Sequence, residues 1–308
     1  MVTNRSIRKV IRSKPTLEGA GVHLRRAFGN SEVPLFDPFL LLDDFRSDEP
    51  NHFLKGFPWH PHRGIETVTY VLSGDVEHSD SMGNKGIIGS GDVQWMTAGS
   101  GIIHQEMPKG DAKGRMYGFQ LWANLPAAYK MMEPRYRGIF AKDIPLVTVG
   151  GNVSIKVIAG KVNGTMGPVR DIVTDPEYLD VTVPARSEFT HATVTGHTVF
   201  AYVIEGHGFF CKEKTPLPYE TEDADYFGMR RDPFIGNGEL VLYGNGTQIV
   251  VSTESEPVRF LLISGKPIDE PVAWHGPIVM NTRQQLQIAF DELDNNTFIK
   301  HKTDRKSG

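Results

Sequence analysis

The sequence is poor in cysteine and in long apolar runs. Among 308 residues only Cys211 is a cysteine, so the chain cannot form a disulfide within itself and nothing favours an oxidising compartment. Nowhere do 18 apolar residues run together, and the first residues lack the apolar core of a signal peptide. The formal net charge of -4 gives no general attraction to nucleic acid or anionic membrane. These absences predict a cytoplasmic protein, or a nuclear one in a eukaryote, that binds neither nucleic acid nor membrane.

Helical periodicity is also scarce, whereas strand signals recur along the chain. Short runs alternate apolar and polar residues, as in 66–74, 91–99 and 152–160, and each of these runs ends in glycine. The chain contains 32 glycines and 20 prolines, which suits short strands joined by turns. The pattern predicts an all-β protein built from antiparallel sandwiches or barrels.

One segment near the C-terminus has the pattern of an amphipathic helix. In residues 281–293, Asn281 is expected to be the N-cap, with Gln284 at the third helical position. A helix this short needs another surface to bury its apolar stripe, so we expect it to dock on a barrel. The stripe comprises Leu286, Ala289, Phe290 and Leu293.

The two halves of the chain resemble each other. The segment "YVLSG" at 70–74 aligns with "YVIEG" at 202–206, and further along Gly91 aligns with Gly238. The second half is longer between these points, which predicts a surface loop inserted at 211–234. Two barrels of one design are therefore expected.

Two pairs of residues with metal-ligand chemistry lie in the first half. His60 and His62 are two apart, as are His104 and Glu106, and residues at this spacing in a strand project to one face. Glu66 has the same parity if the strand is regular, so spacing alone does not decide between Glu66 and Glu106. Three imidazoles and one carboxylate suit a divalent ion such as Fe(II), Mn(II), Ni(II), Cu(II) or Zn(II).

The second half lacks these ligand types at the aligned positions. The site is therefore not required by the fold itself. The residues aligned with positions 60, 62, 66, 104 and 106 are Ala192, Val194, Thr198, Val251 and Thr253.

The segment from His60 to Pro108 resembles the pirin family of the cupin superfamily. Further similarity lies in "DPFLLLDDF" (37–45), "FQLWANLP" (119–126) and "HGPIVMNT" (275–282). The resemblance implies two jelly-roll-like cupin barrels, with a metal, usually iron, in the first barrel alone. It implies a metal-binding barrel at 1–140, a barrel without ligands at 141–280, and a helix and tail at 281–308. The implied metal ligands are His60, His62, His104 and Glu106.

Other residues near this site are candidates for supporting roles. Glu66 is expected to orient a histidine, and Gln120 to face the cavity. Arg63 is either part of an exposed functional loop or a member of a structural ion pair. The apolar candidates for the mouth of the barrel are Phe57, Trp59, Trp95, Met96 and Phe119.

The resemblance implies a function as well as a fold. Pirins resembling quercetin 2,3-dioxygenases open a flavonol with O2 and release carbon monoxide. For this chain that implies an Fe(II) enzyme, expected to be a monomer, in which Glu106 takes the proton of the substrate hydroxyl. The alternative implied by the family is a non-enzymatic redox regulator that binds a transcription factor or a metabolic enzyme through protein contacts.

Overall fold

The computed structural model describes residues 1–213, 219–221, 229–230 and 233–301. Strands provide nearly all of its regular structure, and the one α-helix among the described residues is α1, Arg283–Asp294. The predicted all-β class with a short C-terminal helix is confirmed. Within these residues no helix is both long enough and apolar enough to span a membrane.

Twenty-seven strands are found among the described residues of the two halves. The first twelve are β1 Ile7–Arg12, β2 Lys14–Glu18, β3 Val22–Phe28, β4 Phe39–Asp44, β5 Phe57–His62, β6 Ile65–Ser73, β7 Asp75–Asp80, β8 Lys85–Ile88, β9 Val93–Thr97, β10 Ile102–Lys109, β11 Tyr117–Asn124 and β12 Arg135–Ile139. The others are β13 Leu146–Val149, β14 Val153–Ala159, β15 Lys161–Val162, β16 Thr165–Met166, β17 Glu177–Val183, β18 Glu188–Ala192, β19 Thr198–Phe209, β20 Tyr219–Thr221, β21 Met229–Arg230, β22 Phe234–Gly236, β23 Glu239–Tyr243, β24 Gln248–Ser252, β25 Val258–Gly265, β26 Ala273–His275 and β27 Ile278–Met280.

The first unit consists of Pro15–Ala141 and Ile268–Gly308. Its main sheet has the order β12-β9-β6-β11-β4-β3-β2, and a second sheet has the order β5-β10-β7-β8. The described pairings thus form two open sheets of the jelly-roll kind rather than one closed barrel, because the chain bends at Gly64 and passes from one sheet to the other. The apolar faces of these sheets supply the buried core.

The second unit consists of Met1–Lys14 and Lys142–Pro267. Its large sheet has the order β13-β14-β17-β25-β19-β23-β1-β20-β21, with β18, β22 and β24 attached off this path. Among the described residues a large apolar cluster fills its interior, and Cys211 is buried in this cluster. Most of the loop predicted at 211–234 lies outside the described residues.

The internal repeat is confirmed at the level of single hydrogen bonds. In the first unit the Gly91 amide donates to the Val71 carbonyl at 2.8 Å, and in the second Gly238 donates to Val203 at 2.9 Å. Both glycines have positive φ angles, 88° and 81°, which other residues rarely adopt. The aligned glycines therefore close the same turn in each half.

The domain limits at residues 140 and 280 remain a prediction, and the contact units differ from them in two segments. Residues 1–14 group with the second half because β1 pairs antiparallel with β23 and parallel with β20. Residues 268–280 group with the first half, where Trp274 and Val279 pack into its core. Neither pairing leaves a local signal in the sequence, since both join segments far apart along the chain.

The C-terminal helix starts one residue later than predicted. The N-cap is Thr282, whose hydroxyl accepts from the Gln285 backbone amide at 3.1 Å, while the side-chain oxygen of Gln285 accepts from the Thr282 backbone amide at 3.0 Å. The side chain of Asn281 donates instead to Glu270 and is therefore engaged elsewhere. The predicted stripe is confirmed, with Ala289 buried and its neighbours packed against strand β27.

Candidate metal centre

The histidines of the first unit meet where β5 pairs with β10. In this antiparallel register His60 lies opposite His104, and His62 lies opposite Ile102. His60 and His62 project to the same face because they are two apart in a strand, and their cross-strand neighbour joins them. The nitrogens of the three imidazoles lie within 4.8 Å of one another, and such a group could hold a metal ion.

The hydrogen bonds of His60 and His62 engage their Nδ1 atoms and leave their Nε2 atoms facing one another. Nδ1 of His60 donates to the Pro58 carbonyl at 2.8 Å, and Nδ1 of His62 donates to the Pro277 carbonyl at 3.1 Å. Each Nε2 therefore carries a lone pair when the rings are neutral. The two Nε2 atoms are nevertheless only 3.1 Å apart. Facing lone pairs repel at this distance unless a cation or proton lies between them, so the donor set fits a metal.

His104 strengthens this fit because its ring lacks partners. It is 1% exposed, and neither ring nitrogen has a hydrogen-bond partner within the described part of the chain. Buried nitrogens left without bonds cost stability, and coordination would remove that cost. Burial also lowers the pKa of both His62 and His104 well below the usual range. Both rings are thus neutral at pH 7, the state in which histidine binds metals.

Glu106 lies beside the histidines, beyond an irregularity in the strand pairing. The register of β10 against β5 shifts between His104 and Glu106, and such bulges re-aim side chains. One carboxylate oxygen is 4.0 Å from Nε2 of His104, and the other accepts from the Thr69 hydroxyl at 2.9 Å. Burial raises the pKa of Glu106 to about 7. The carboxyl group of the metal-free protein is therefore suited to accept a proton near neutral pH, and it lies next to the histidine cluster.

The metal-free protein is expected to reveal this buried carboxyl group in the pH dependence of its stability. The pKa of Glu106 is about 7 in the folded protein, against about 4.3 in an unfolded chain. Between these values the folded state holds more protons, so Glu106 lowers the free energy of unfolding as pH rises, by up to about 4 kcal/mol over the whole titration. The lowered pKa values of His62 and His104 act in the opposite direction below pH 6.5, so the effect must be isolated by mutation.

The contribution of Glu106 is isolated by urea unfolding of the metal-free wild type and of Glu106→Gln, each at pH 5 and at pH 8. From pH 5 to pH 8 the free energy of unfolding of the variant should rise by about 2 to 3 kcal/mol relative to that of wild type, because the variant lacks the ionisable group. A difference between the two proteins that does not change with pH would show that Glu106 titrates normally.

The strand that would align Glu66 with the histidines is interrupted, and the hydrogen bonds of Glu66 run to other residues. β5 ends at His62, and the chain bends at Gly64, whose φ angle is 77°. The carboxylate of Glu66 accepts from the Thr97 hydroxyl at 2.6 Å and from the Trp95 indole at 3.1 Å. Its described hydrogen bonds thus hold the main sheet together rather than orient a histidine.

Arg63 makes the contacts of a structural ion pair. It is 1% exposed, and its guanidinium donates to the Ser100 carbonyl, the Phe298 carbonyl and the Glu292 carboxylate at 2.7, 2.9 and 2.7 Å. It also lies 4.2 Å from the centre of the Phe298 ring. Of the two alternatives left by the sequence, these contacts favour the structural one, in which Arg63 fastens the C-terminal segment to the loop after the histidines.

A cavity of about 590 Å³ opens beside the histidine cluster, with His60, His62 and Glu106 in its wall. Of the predicted pocket residues, Phe57, Trp59 and Gln120 line it, whereas Trp95, Met96 and Phe119 are buried in the core away from it. Further lining residues that sequence reasoning missed are Arg26, Asp43, Thr69, Trp122 and Trp274. Trp122 could have been found, since it lies two residues beyond Gln120 on β11 and so shares its face.

Comparison with known sequences identifies similar proteins over nearly the whole chain. The Pirin family model matches residues 21–123, and that of the pirin C-terminal cupin domain matches 178–299. A pirin-like protein of Caulobacter vibrioides is 43% identical, covering 96% of this chain and 99% of the relative. A Pseudomonas aeruginosa protein provisionally named as a quercetin 2,3-dioxygenase is 38% identical, covering 94% of this chain and 96% of the relative.

Comparison with solved structures identifies the same fold. A quercetin 2,3-dioxygenase of Acinetobacter baumannii superposes with a TM-score of 0.82 at 28% identity, covering 96% of this chain and 99% of that one. A bacterial pirin of Escherichia coli in complex with nickel(II) superposes with a TM-score of 0.60 at 20% identity, covering 84% of this chain and 98% of that one. At this lower identity the second likeness shows the fold alone.

Proposed function

The chain belongs to the pirin family, and on this premise we propose that it is a metal-dependent dioxygenase that cleaves flavonols such as quercetin with O2. The observation that carries the proposal is that His60, His62 and Glu106 line one cavity of about 590 Å³, with His104 directly opposite His60 in the strand pairing. Cavities for small ligands measure about 300 to 1,000 Å³. The quercetin dioxygenase names of a relative and of a similar structure support the substrate class.

Under this proposal the metal ligands are His60, His62, His104 and Glu106. The unpartnered nitrogens of His104 and the facing Nε2 atoms of the other two histidines support this assignment. When bound, Fe(II) supplies Lewis acidity toward the substrate hydroxyl and redox chemistry toward O2. Fe(II) is our choice from the family, and Mn(II), Ni(II), Cu(II) and Zn(II) suit the same donors.

The aromatic wall of the cavity is suited to a flat ring system. The Trp122 ring meets the edge of the His62 ring at a centroid distance of 5.0 Å, and it lies 5.9 Å from the Trp274 ring. Rings of this kind bury an aromatic substrate against apolar surface and leave little room for water beside it. The aromatic lining residues are Phe57, Trp59, Trp122 and Trp274.

Glu106 is the proposed acceptor of the proton on the flavonol 3-hydroxyl. In the metal-free protein burial raises its pKa to about 7, so the carboxylate is basic enough to take up and return a proton when it is not bound to the ion. The Thr69 hydroxyl holds one carboxylate oxygen at 2.9 Å, and the other oxygen is on the His104 side. Thr69 therefore positions the carboxylate through one oxygen, and the other oxygen is directed toward the histidine cluster.

The test is turnover after anaerobic reconstitution with Fe(II). Quercetin and O2 are then added to wild type, His62→Ala and the control His197→Ala, and both quercetin loss and carbon monoxide are measured. Wild type and the control, whose histidine lies in the second unit, should turn over, while His62→Ala should be slower by more than about 100-fold, since loss of even an outer partner of a ligand costs 10- to 100-fold. Absence of wild-type turnover with iron demonstrably bound would overturn the proposal and favour the redox regulator.

A further inference from the structure

A row of polar side chains crosses the main sheet of the first unit. Thr69 lies opposite Gln120 across β6 and β11, Gln120 lies opposite Asp43 on β4, and Asp43 lies opposite Arg26 on β3. Directly opposed residues share a face of the sheet, and all four line the cavity. Because neighbouring strands are about 4.8 Å apart, the row extends about 10 Å from Thr69 to Asp43.

The near end of the row is joined to the metal centre. The Thr69 hydroxyl lies 2.9 Å from a Glu106 oxygen and 2.7 Å from the side-chain oxygen position of Gln120. The Thr69 hydroxyl has one hydrogen and cannot donate to both oxygens. If the Gln120 amide is turned by about 180°, its NH2 group faces Thr69 and donates to the hydroxyl oxygen. Thr69 then donates to Glu106, and the amide oxygen of Gln120 is left to accept from another group.

The far end of the row is rich in acceptors and carries a net negative charge. Arg26 donates to both oxygens of Asp43, at 2.8 and 2.7 Å, and also pairs with Glu18 at 2.9 Å. Two carboxylates thus share one guanidinium, and each Asp43 oxygen keeps a lone pair for a further donor. Burial raises the pKa of Asp43 to about 6, so it is ionised at pH 7.5. This wall attracts hydroxyl donors and repels anions.

We propose that Asp43, held in place by Arg26, is a specificity-determining residue that accepts hydrogen bonds from hydroxyl groups at the end of the substrate remote from the metal centre. The inference rests on the proposed function and narrows it. The substrate class is a neutral, polyhydroxylated flavonol, because a three-ring molecule with its 3-hydroxyl beside Glu106 extends along the row. Aromatic acids are disfavoured by the net charge of Glu18, Arg26 and Asp43.

The test compares the affinities of metal-loaded protein for two flavonols at pH 7.5 in the absence of O2. Quenching of the tryptophan fluorescence measures the binding of each flavonol. Quercetin and 3-hydroxyflavone share the 3-hydroxyl and 4-carbonyl groups, but only quercetin carries remote hydroxyls. Wild type is expected to prefer quercetin. Asp43→Asn should lower the affinity for quercetin by about tenfold or more, because a bond to a charged acceptor becomes a neutral one. Its affinity for 3-hydroxyflavone should stay within about twofold.

The next residue provides a matched control. Asp44 is buried and is held by both Arg46 nitrogens, at 2.8 and 2.6 Å, but it does not line the cavity. Asp44→Asn should therefore leave the preference for quercetin unchanged. If thermal unfolding shows that Asp43→Asn is destabilised, Gln120→Met is the second variant. It removes another acceptor of the row and should also weaken the preference for quercetin.

The outcomes separate this inference from the proposed function. If wild type turns over quercetin but binds both flavonols equally, or if both row variants keep the wild-type preference, the inference alone is overturned. If metal-loaded wild type neither binds nor turns over any flavonol, the proposed function is overturned and the inference with it.

Discussion

Replacement of His104 by alanine is expected to abolish tight metal binding while leaving the fold in place. His104 presents two buried nitrogens without hydrogen-bond partners among the described residues, so its removal from the metal-free protein breaks no hydrogen bond there. The affinity for Zn(II), used as a spectroscopically silent substitute for Fe(II), should fall by more than about 100-fold, since even the loss of an outer partner of a ligand costs 10- to 100-fold. Competition against a chromophoric chelator measures this affinity directly.

A second buried histidine serves as the control for this experiment. His191 lies in the second unit, is 9% exposed, and is 2.9 Å from the Glu177 carboxylate. His191→Ala also removes a buried imidazole, but it should leave the affinity for Zn(II) unchanged. Circular dichroism of both metal-free variants checks that each is folded. Tight Zn(II) binding by folded His104→Ala would contradict the proposed ligand set.

Replacement of Lys130 by methionine is expected to destabilise the protein by about 3 kcal/mol or more. Lys130 is 1% exposed, and its ammonium group donates to the carbonyls of Gly64 and Val279 and to the Asn124 side chain at 2.9, 3.0 and 2.6 Å. Methionine has a similar length but no donor, so three acceptors each lose one buried hydrogen bond, although the Gly64 carbonyl still accepts from the Leu125 amide at 3.3 Å. Burial lowers the pKa of Lys130 to about 7, so urea unfolding is measured at pH 6, where the amine is protonated.

An exposed lysine shows whether the loss comes from burial or from charge. Lys109 pairs with Glu77 at the surface, and Lys109→Met should change the free energy of unfolding by less than about 1 kcal/mol. Equal losses in the two variants would contradict the role assigned to Lys130. A larger loss in Lys130→Met would support the view that Lys130 ties the turn at Gly64, directly after the histidines, to strand β27.

Much of the candidate site was predictable because its signals are local. The spacing of His60 and His62 places both rings on one face of any extended chain, and Gln120, which was expected to face the cavity, lies in its wall. Glu66 shares the parity of the histidines only if the strand is regular, and the bend at Gly64 interrupts that strand. The helix N-cap was misplaced by one residue because adjacent Asn281 and Thr282 are both good caps.

The sequence by itself determined the all-β class, the repeated half, the amphipathic helix and the paired ligand types, because each follows from residue spacings of a few positions or from internal similarity. Only the tertiary structure decided which carboxylate lies beside the histidines, that β1 joins the second unit, and that Thr69, Gln120 and Asp43 form one row. These features depend on the register of strands far apart along the chain, and a shift of one residue would turn each side chain to the opposite face. No local spacing encodes that register, because it is set by the packing of whole sheets.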